Sequence, residues 1–236
     1  MLEDLVNTGT LEMSAAPVQA LAENPGWGDF LVNRILVAAA VLLVLFTLKD
    51  IIKLLPSILA CLDRARANAS LEHSLSLART RNLIALEMIL PFCLIADRFS
   101  LYEPSFSRII PDEAGIAVTA GAFIAYLLLR KMLFLLFRPL KMSSEAAGTV
   151  HHTSYNYFIA MTVLMMLTTG ILTAFHCPDN VARAILLCLT AASFLFSLVR
   201  TGQILAYSYG TLSTFLYLCA LELMPAGALV ASAIVL

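Results

Sequence analysis

Charge is what this sequence lacks most. Asp, Glu, Lys and Arg make up 13% of its 236 residues, against 60% hydrophobic residues and a mean hydropathy of +0.87. Soluble domains carry roughly a quarter charged residues. A soluble fold this apolar could not clothe its own surface, so lipid must act as part of its solvent. The net charge of −1 gives no global attraction for nucleic acid. Basic residues are missing altogether from Met1 to Asp29, which holds Glu3, Asp4, Glu12, Glu23 and Asp29. A cleavable signal peptide starts basic, so residues 1–28 are expected to be a retained acidic extension on the non-cytoplasmic side. The single tryptophan, Trp27, stands with Phe30 where that extension meets the first apolar run, the place of interfacial aromatics.

Motifs of chemistry are also missing. Cys61, Cys93, Cys177, Cys188 and Cys219 form no C-x-x-C pair and read as small buried hydrophobes without disulfides. His151 and His152 are a helix away from His176, and no carboxylate stands at ligand spacing, so no metal site is assigned. There is no G-x-S-x-G, H-E-x-x-H, Walker loop or dinucleotide fingerprint. No catalytic residue and no cofactor follow from the sequence.

What is present is a series of long apolar runs. A spanning helix needs about 20 apolar residues. Six runs qualify: Phe30–Leu48, Leu83–Ala96, Ala114–Leu129 with an extension through Phe137, Tyr155–Phe175, Val181–Val199 and Leu212–Leu236. The second is short, and spans only if it starts near Leu77 with Arg79 and Arg81 snorkelling to the headgroups. The expected fold is an all-α polytopic bundle of about six transmembrane helices over residues 29–236. Orientation follows from the cations. Lys49, Lys53, Arg64, Arg66, Arg79, Arg81, Arg130, Lys131, Arg138, Lys141 and Arg200 fall on one side; Arg34, Arg98, Arg108 and Arg183 fall on the other. The rich side is expected to be cytoplasmic, with both termini outside.

The largest cytoplasmic piece is the loop 49–82. Ile51, Ile52, Leu54, Leu55, Ile58, Leu59 and Leu62 give it an apolar face, and Pro56 should bend or end the first helix. It reads as an interfacial elbow or as a docking helix for membrane-protein partners. Ser70 is placed to cap a second short helix. Asn68-Ala69-Ser70 matches a glycosylation acceptor but falls on the cytoplasmic side. His176-Cys177-Pro178-Asp179-Asn180 reads as a tight outer turn with Asp179 or Asn180 as a cap. Small residues four apart, Ala117, Gly121 and Ala125 in the third run and Gly227 and Ala231 in the sixth, read as contacts within the bundle.

Two carboxylates fall inside apolar runs: Glu222 near the middle of the sixth and Glu87 in the second. An acidic residue at mid-membrane costs about 2.5–3.5 kcal/mol on the insertion scale, which demands a partner, a neutral acid or an aqueous cavity. A proline follows each, Pro91 after Glu87 and Pro225 after Glu222, and proline frees a carbonyl one turn earlier. A freed carbonyl beside a carboxyl is the pattern of ion and proton sites in broken transporter helices. The alternative is a carboxyl hydrogen-bonded by a neighbour, with Thr168, Thr169, Ser193 and Ser197 as candidates. Arg200 closes the fifth run as an anchor, and with Arg130 and Lys131 it forms a candidate site for an anionic lipid headgroup.

The run Ser213-Thr214-Phe215-Leu216-Tyr217-Leu218-Cys219-Ala220-Leu221-Glu222-Leu223-Met224-Pro225 resembles the signature of a family of polytopic inner-membrane proteins of Bacteroidota, a domain of unknown function. Its members end in a Phe-Leu-Tyr-Leu-Cys-x-Leu-Glu-x-x-Pro helix, preceded by a helix ending in Arg. Arg200 and Glu222 match those positions. The resemblance covers about the last third of the chain; it implies a Gram-negative inner membrane and supplies no reaction. Two functions are expected from these features. One is a non-enzymatic component of cell-envelope machinery. The other is a small transporter or lipid-handling protein with Glu222 protonatable.

Overall fold

A computed structural model describes residues 26–63, 75–104, 114–136, 144–208 and 210–235. It is all-helical, with no strand among the described residues. After one 3₁₀ turn (Trp27–Asp29) come α1 (Leu31–Asp63), α2 (Leu75–Glu87), α3 (Ile89–Arg98), α4 (Gly115–Leu136), α5 (Ser144–Ala174), α6 (Asp179–Ser208), α7 (Thr211–Leu218), a π-helical segment (Cys219–Leu223) and α8 (Met224–Val235). Five helices are long and apolar enough to cross a membrane: Leu31–Cys61, Gly115–Leu136, Thr153–Ala174, Asp179–Ala206 and Thr214–Ile234. Their outward faces are bare hydrocarbon, with Phe46 84% and Ile234 74% exposed, surface that only lipid can cover without penalty. The extension 1–25, the Ser70 cap, the Asn68 acceptor and most of the connection after α1 lie outside the described residues.

Four expectations need correction. The first helix does not end at Pro56 but continues through it to Asp63. Proline removes one helical hydrogen bond and crowds one carbonyl, while Leu54 and Ile58 on either side are buried and hold the helix in place. Ile51, Leu54, Ile58 and Cys61 recur at three- and four-residue spacing on one face. That face packs on Ile84, Ala85 and Met88 and on Ile159 of α5, so half of the apolar surface read as a partner-docking face is covered by the chain itself. The second run is not one helix but two, α2 and α3, broken at Met88. Pro91 has no N–H for the Glu87 carbonyl, which is where α2 stops. Arg81 does not snorkel: it is 1% exposed, and its guanidinium donates to the Asn82 side chain at 2.9 Å. The small-residue stripes are not contacts within the bundle either. Ala117, Gly121, Ala125, Gly227 and Ala231 are exposed, and a side chain added at Gly121 or Gly227 would meet nothing within 4 Å.

Contacts define two ends of the bundle. At the first, Trp27 bonds Asp97, Asp97 bonds Thr119, Arg98 pairs with Asp179, Arg183 pairs with Glu103, and Tyr102 meets Ser232. This end therefore gathers the start of α1, the end of α3, the starts of α4 and α6 and the last turns of α8. At the second, Tyr157 of α5 reaches the Cys61 carbonyl of α1, and Leu133, Leu205, Tyr217 and Leu221 pack together from α4, α6 and α7 onward. Consecutive legs run in alternating directions between the two.

Two turns at the first end are built alike. After α3, Ser100 adopts φ 47°, its N–H bonds Asp97 O and the Leu101 N–H bonds Ala96 O. After α5, His176 adopts φ 51°, its N–H bonds Thr173 O and the Cys177 N–H bonds Leu172 O. Both are Schellman closures carrying a side chain where glycine is usual. The outer turn expected at His176–Asn180 is the second of these. Beyond it, Asn180 accepts from the Val181 N–H at 2.9 Å, while Asp179 is taken up by Arg98.

Candidate functional site

The last helix is a single rod with an irregular turn at its middle. Pro225 offers no N–H, and its ring would crowd the Leu221 carbonyl in a regular α-helix. The chain responds by widening: the Met224 N–H reaches back to the Cys219 carbonyl, a π-type bond. Through this wider turn Leu221 and Glu222, neighbours in sequence, are both buried.

Glu222 faces Arg130. The guanidinium Nη2 donates to Glu222 Oε1 at 2.5 Å and to Ser154 Oγ at 2.6 Å. The two charged side chains are 17% and 9% exposed. One cation thereby joins α4, α5 and the C-terminal rod. The surroundings are layered along α4, where Thr119, Phe123, Tyr126 and Arg130 follow one another at helical spacing. Toward the second end lies the Leu133–Leu205–Tyr217–Leu221 cluster. Toward the first, Phe92, Phe123 and Phe158 meet at centroid distances of 4.8 and 5.5 Å, with Tyr126 stacked on Phe123 at 6.0 Å. The ion pair sits between an aliphatic layer and an aromatic one, which strengthens it and makes breaking it costly.

The structure separates the remaining candidates. Lys131, next to Arg130, is exposed. Arg200 does not close its helix, since α6 runs on to Ser208; its guanidinium donates to Gln203 at 3.0 Å and lies 5.2 Å from the Phe196 ring. The Arg130 guanidinium points inward to Glu222 and does not join Lys131 on the outer surface. Glu87 ends α2 at the break that Pro91 produces, and one of its carboxyl oxygens is buried without a hydrogen-bond partner. It stands apart from Glu222, so the two acid–proline pairs form two sites. None of Thr168, Thr169, Ser193 and Ser197 supplies the hydrogen bond to Glu222; Arg130 and Ser154 form the site with it. The signal for Arg130 was in the sequence: an apolar run continuing through Phe137 leaves that cation inside a span, opposite in charge to the acid inside another.

A second polar cluster lies at the other end. Asp97 accepts from Trp27 Nε1 at 2.7 Å and from Thr119 Oγ1 at 3.2 Å. Asn33, 1% exposed, donates to the Trp27 carbonyl at 2.9 Å. Gly115 leaves the room this requires, because a Cβ there would stand 3.0 Å from Asp97 Oδ1. Asp97 lies just beyond the second apolar run. Burial pushes its carboxyl above the ordinary range, and the Trp27 and Thr119 hydrogen bonds pull it back down. Among the described residues, no group of three His, Cys, Asp or Glu side chains is arranged to hold a metal. Comparison with protein-family models, curated proteins and solved structures finds no match.

Proposed function

We propose that this is a non-enzymatic, six-pass protein of a bacterial inner membrane, serving as a structural or accessory component of cell-envelope machinery. The observation that carries the reading is how the charged groups inside and at the end of the bundle are used. Arg130 is held by Glu222 and Ser154, Asp97 by Trp27 and Thr119, Arg98 by Asp179 and Arg183 by Glu103. Each contact ties one helix or turn to another, as expected of a protein whose task is to hold a shape. Six crossings fit the alternating legs, with α2 and α3 together forming the second. Both termini outside fits the cations: among the described residues, even without buried Arg81 and Arg130, Lys49, Lys53, Arg79, Lys131 and Arg200 lie toward the second end against Arg34, Arg98 and Arg183 at the first. The Bacteroidota inner membrane rests on the resemblance of the Ser213–Pro225 run. Partners would meet the lipid-facing helices or the part of the connection 49–82 that α1 leaves uncovered.

Two measurements test this. A reporter active only in the cytosol, fused after Leu236, should be silent; a bright one overturns the orientation. Gentle solubilisation at native expression should retain a stoichiometric partner, and a protein that purifies alone overturns the accessory role.

One observation favours a second reading, a small transporter or lipid-handling protein: Glu222 lies in a π segment beside Pro225, at mid-rod and opposite a cation. That reading requires Glu222→Gln cells to differ from wild type at some external pH. Identical growth across the whole range would rule it out.

A further inference from the structure

We propose that the π segment Cys219–Leu223 is a register joint, by which making or breaking the Arg130–Glu222 pair at the middle of the last rod is felt at the Tyr102–Ser232 contact near its far end. This goes beyond the accessory role, because it describes how the fold would switch whatever it serves.

Four observations carry it. First, Glu222 and Ser232 belong to one continuous rod, ten residues and about 15 Å apart. Second, a π segment stores one extra residue; losing it turns everything beyond by about 100° and shifts it by about 1.5 Å. A hydroxyl contact tolerates a few tenths of an ångström, so it cannot survive such a turn.

Third, α8 is held lightly enough to turn. Among its described side chains only Pro225, at its base, is buried. Its exposed face carries Gly227, Ala228, Val230, Ala231 and Ile234, and a side chain at Gly227 would meet nothing within 4 Å. Fourth, its far end is tied at one oriented point. Ser232 gives its only hydroxyl hydrogen to the Leu229 carbonyl at 2.7 Å, so Tyr102 is the donor in the 3.0 Å contact between them. Tyr102 neighbours Glu103, which binds Arg183, so a turn of α8 reaches the ion pairs of that end.

The test is a cross-link. Tyr102→Cys and Ser232→Cys are introduced together in a background whose five native cysteines are replaced by Ala, oxidised in membranes, and the linked peptide is quantified against each single-cysteine control. With Arg130 and Glu222 intact the link should form readily. Glu222→Gln and Arg130→Met should each lower its yield by about threefold or more, as a shift of the register population requires. The exchanged pair, Arg130→Glu with Glu222→Arg, should restore it. Should Glu222→Gln not run as a monodisperse species in detergent, Arg130→Met decides alone. An unchanged yield overturns the joint. A yield that the exchanged pair does not restore assigns the loss to general loosening and overturns it equally.

Discussion

Replacing Arg130 alone should cost more than replacing Arg130 and Glu222 together. At the observed 2.5 Å and an effective dielectric near 20, the gross attraction between the two charges is about 7 kcal/mol. Desolvation costs several kcal/mol for each ion, so the pair as a whole lies near balance against apolar residues of equal volume. Arg130→Met removes the attraction but leaves the desolvated Glu222 carboxylate without its cation. A loss of about 3–5 kcal/mol follows. Glu222→Leu strands the guanidinium in the same way. The double variant strands neither charge and should come within about 1–2 kcal/mol of wild type. The assay is reversible unfolding in bicelles, with all four corners of the cycle measured. Two small, additive single losses would refute the reasoning, and would mean that water or headgroups reach the pair.

Other consequences follow from the same geometry. Leu54, fully buried against Ile84 and Ile159, should lose about 2–5 kcal/mol on truncation to Ala, whereas Leu55, 39% exposed one residue on, should lose under about 1 kcal/mol; equal losses would mean the α1–α2 packing is wrong. His176→Gly should raise thermal stability by about 1 kcal/mol by removing the side chain from a left-handed position, and a lower melting temperature would contradict it. For Asp97 the folded carboxyl lies above its unfolded value. Its contribution is therefore fully present below the ordinary carboxylate range and lost as pH rises through the raised value. Asp97→Asn should flatten that part of the stability–pH curve, and an unaltered curve would show that the slope arises elsewhere.

The apolar runs marked out the helices well, because lipid demands uninterrupted hydrocarbon and nothing else in the chain imitates it. The ends were less legible. Pro56 breaks isolated helices and Arg200 marks a membrane boundary, yet α1 and α6 run 7 and 8 residues past them. In a bundle a helix continues for as long as a neighbour has a face for it, and no local residue records that. The break at Met88 and the π turn at Cys219–Leu223 both trace to prolines that could be read directly, but which distortion each proline produced was decided by packing. Glu222 was recognisable as an expensive residue. Its partner is hard to read because a cation late in an apolar run usually stands at the membrane boundary, whereas α4 continues six residues past Arg130, to Leu136. The exposed stripes at Gly121 and Gly227 show the opposite failure: small residues at spacing four invite close approach, and among the described residues no helix accepts.

The indole of Trp27 has a use beyond its hydrogen bond to Asp97. It is the chain's only tryptophan, so excitation at wavelengths the tyrosines do not absorb reports one site, set where α1, α3 and α4 converge. Its emission is a label-free optical gauge of that junction, readable in vesicles without any engineered dye.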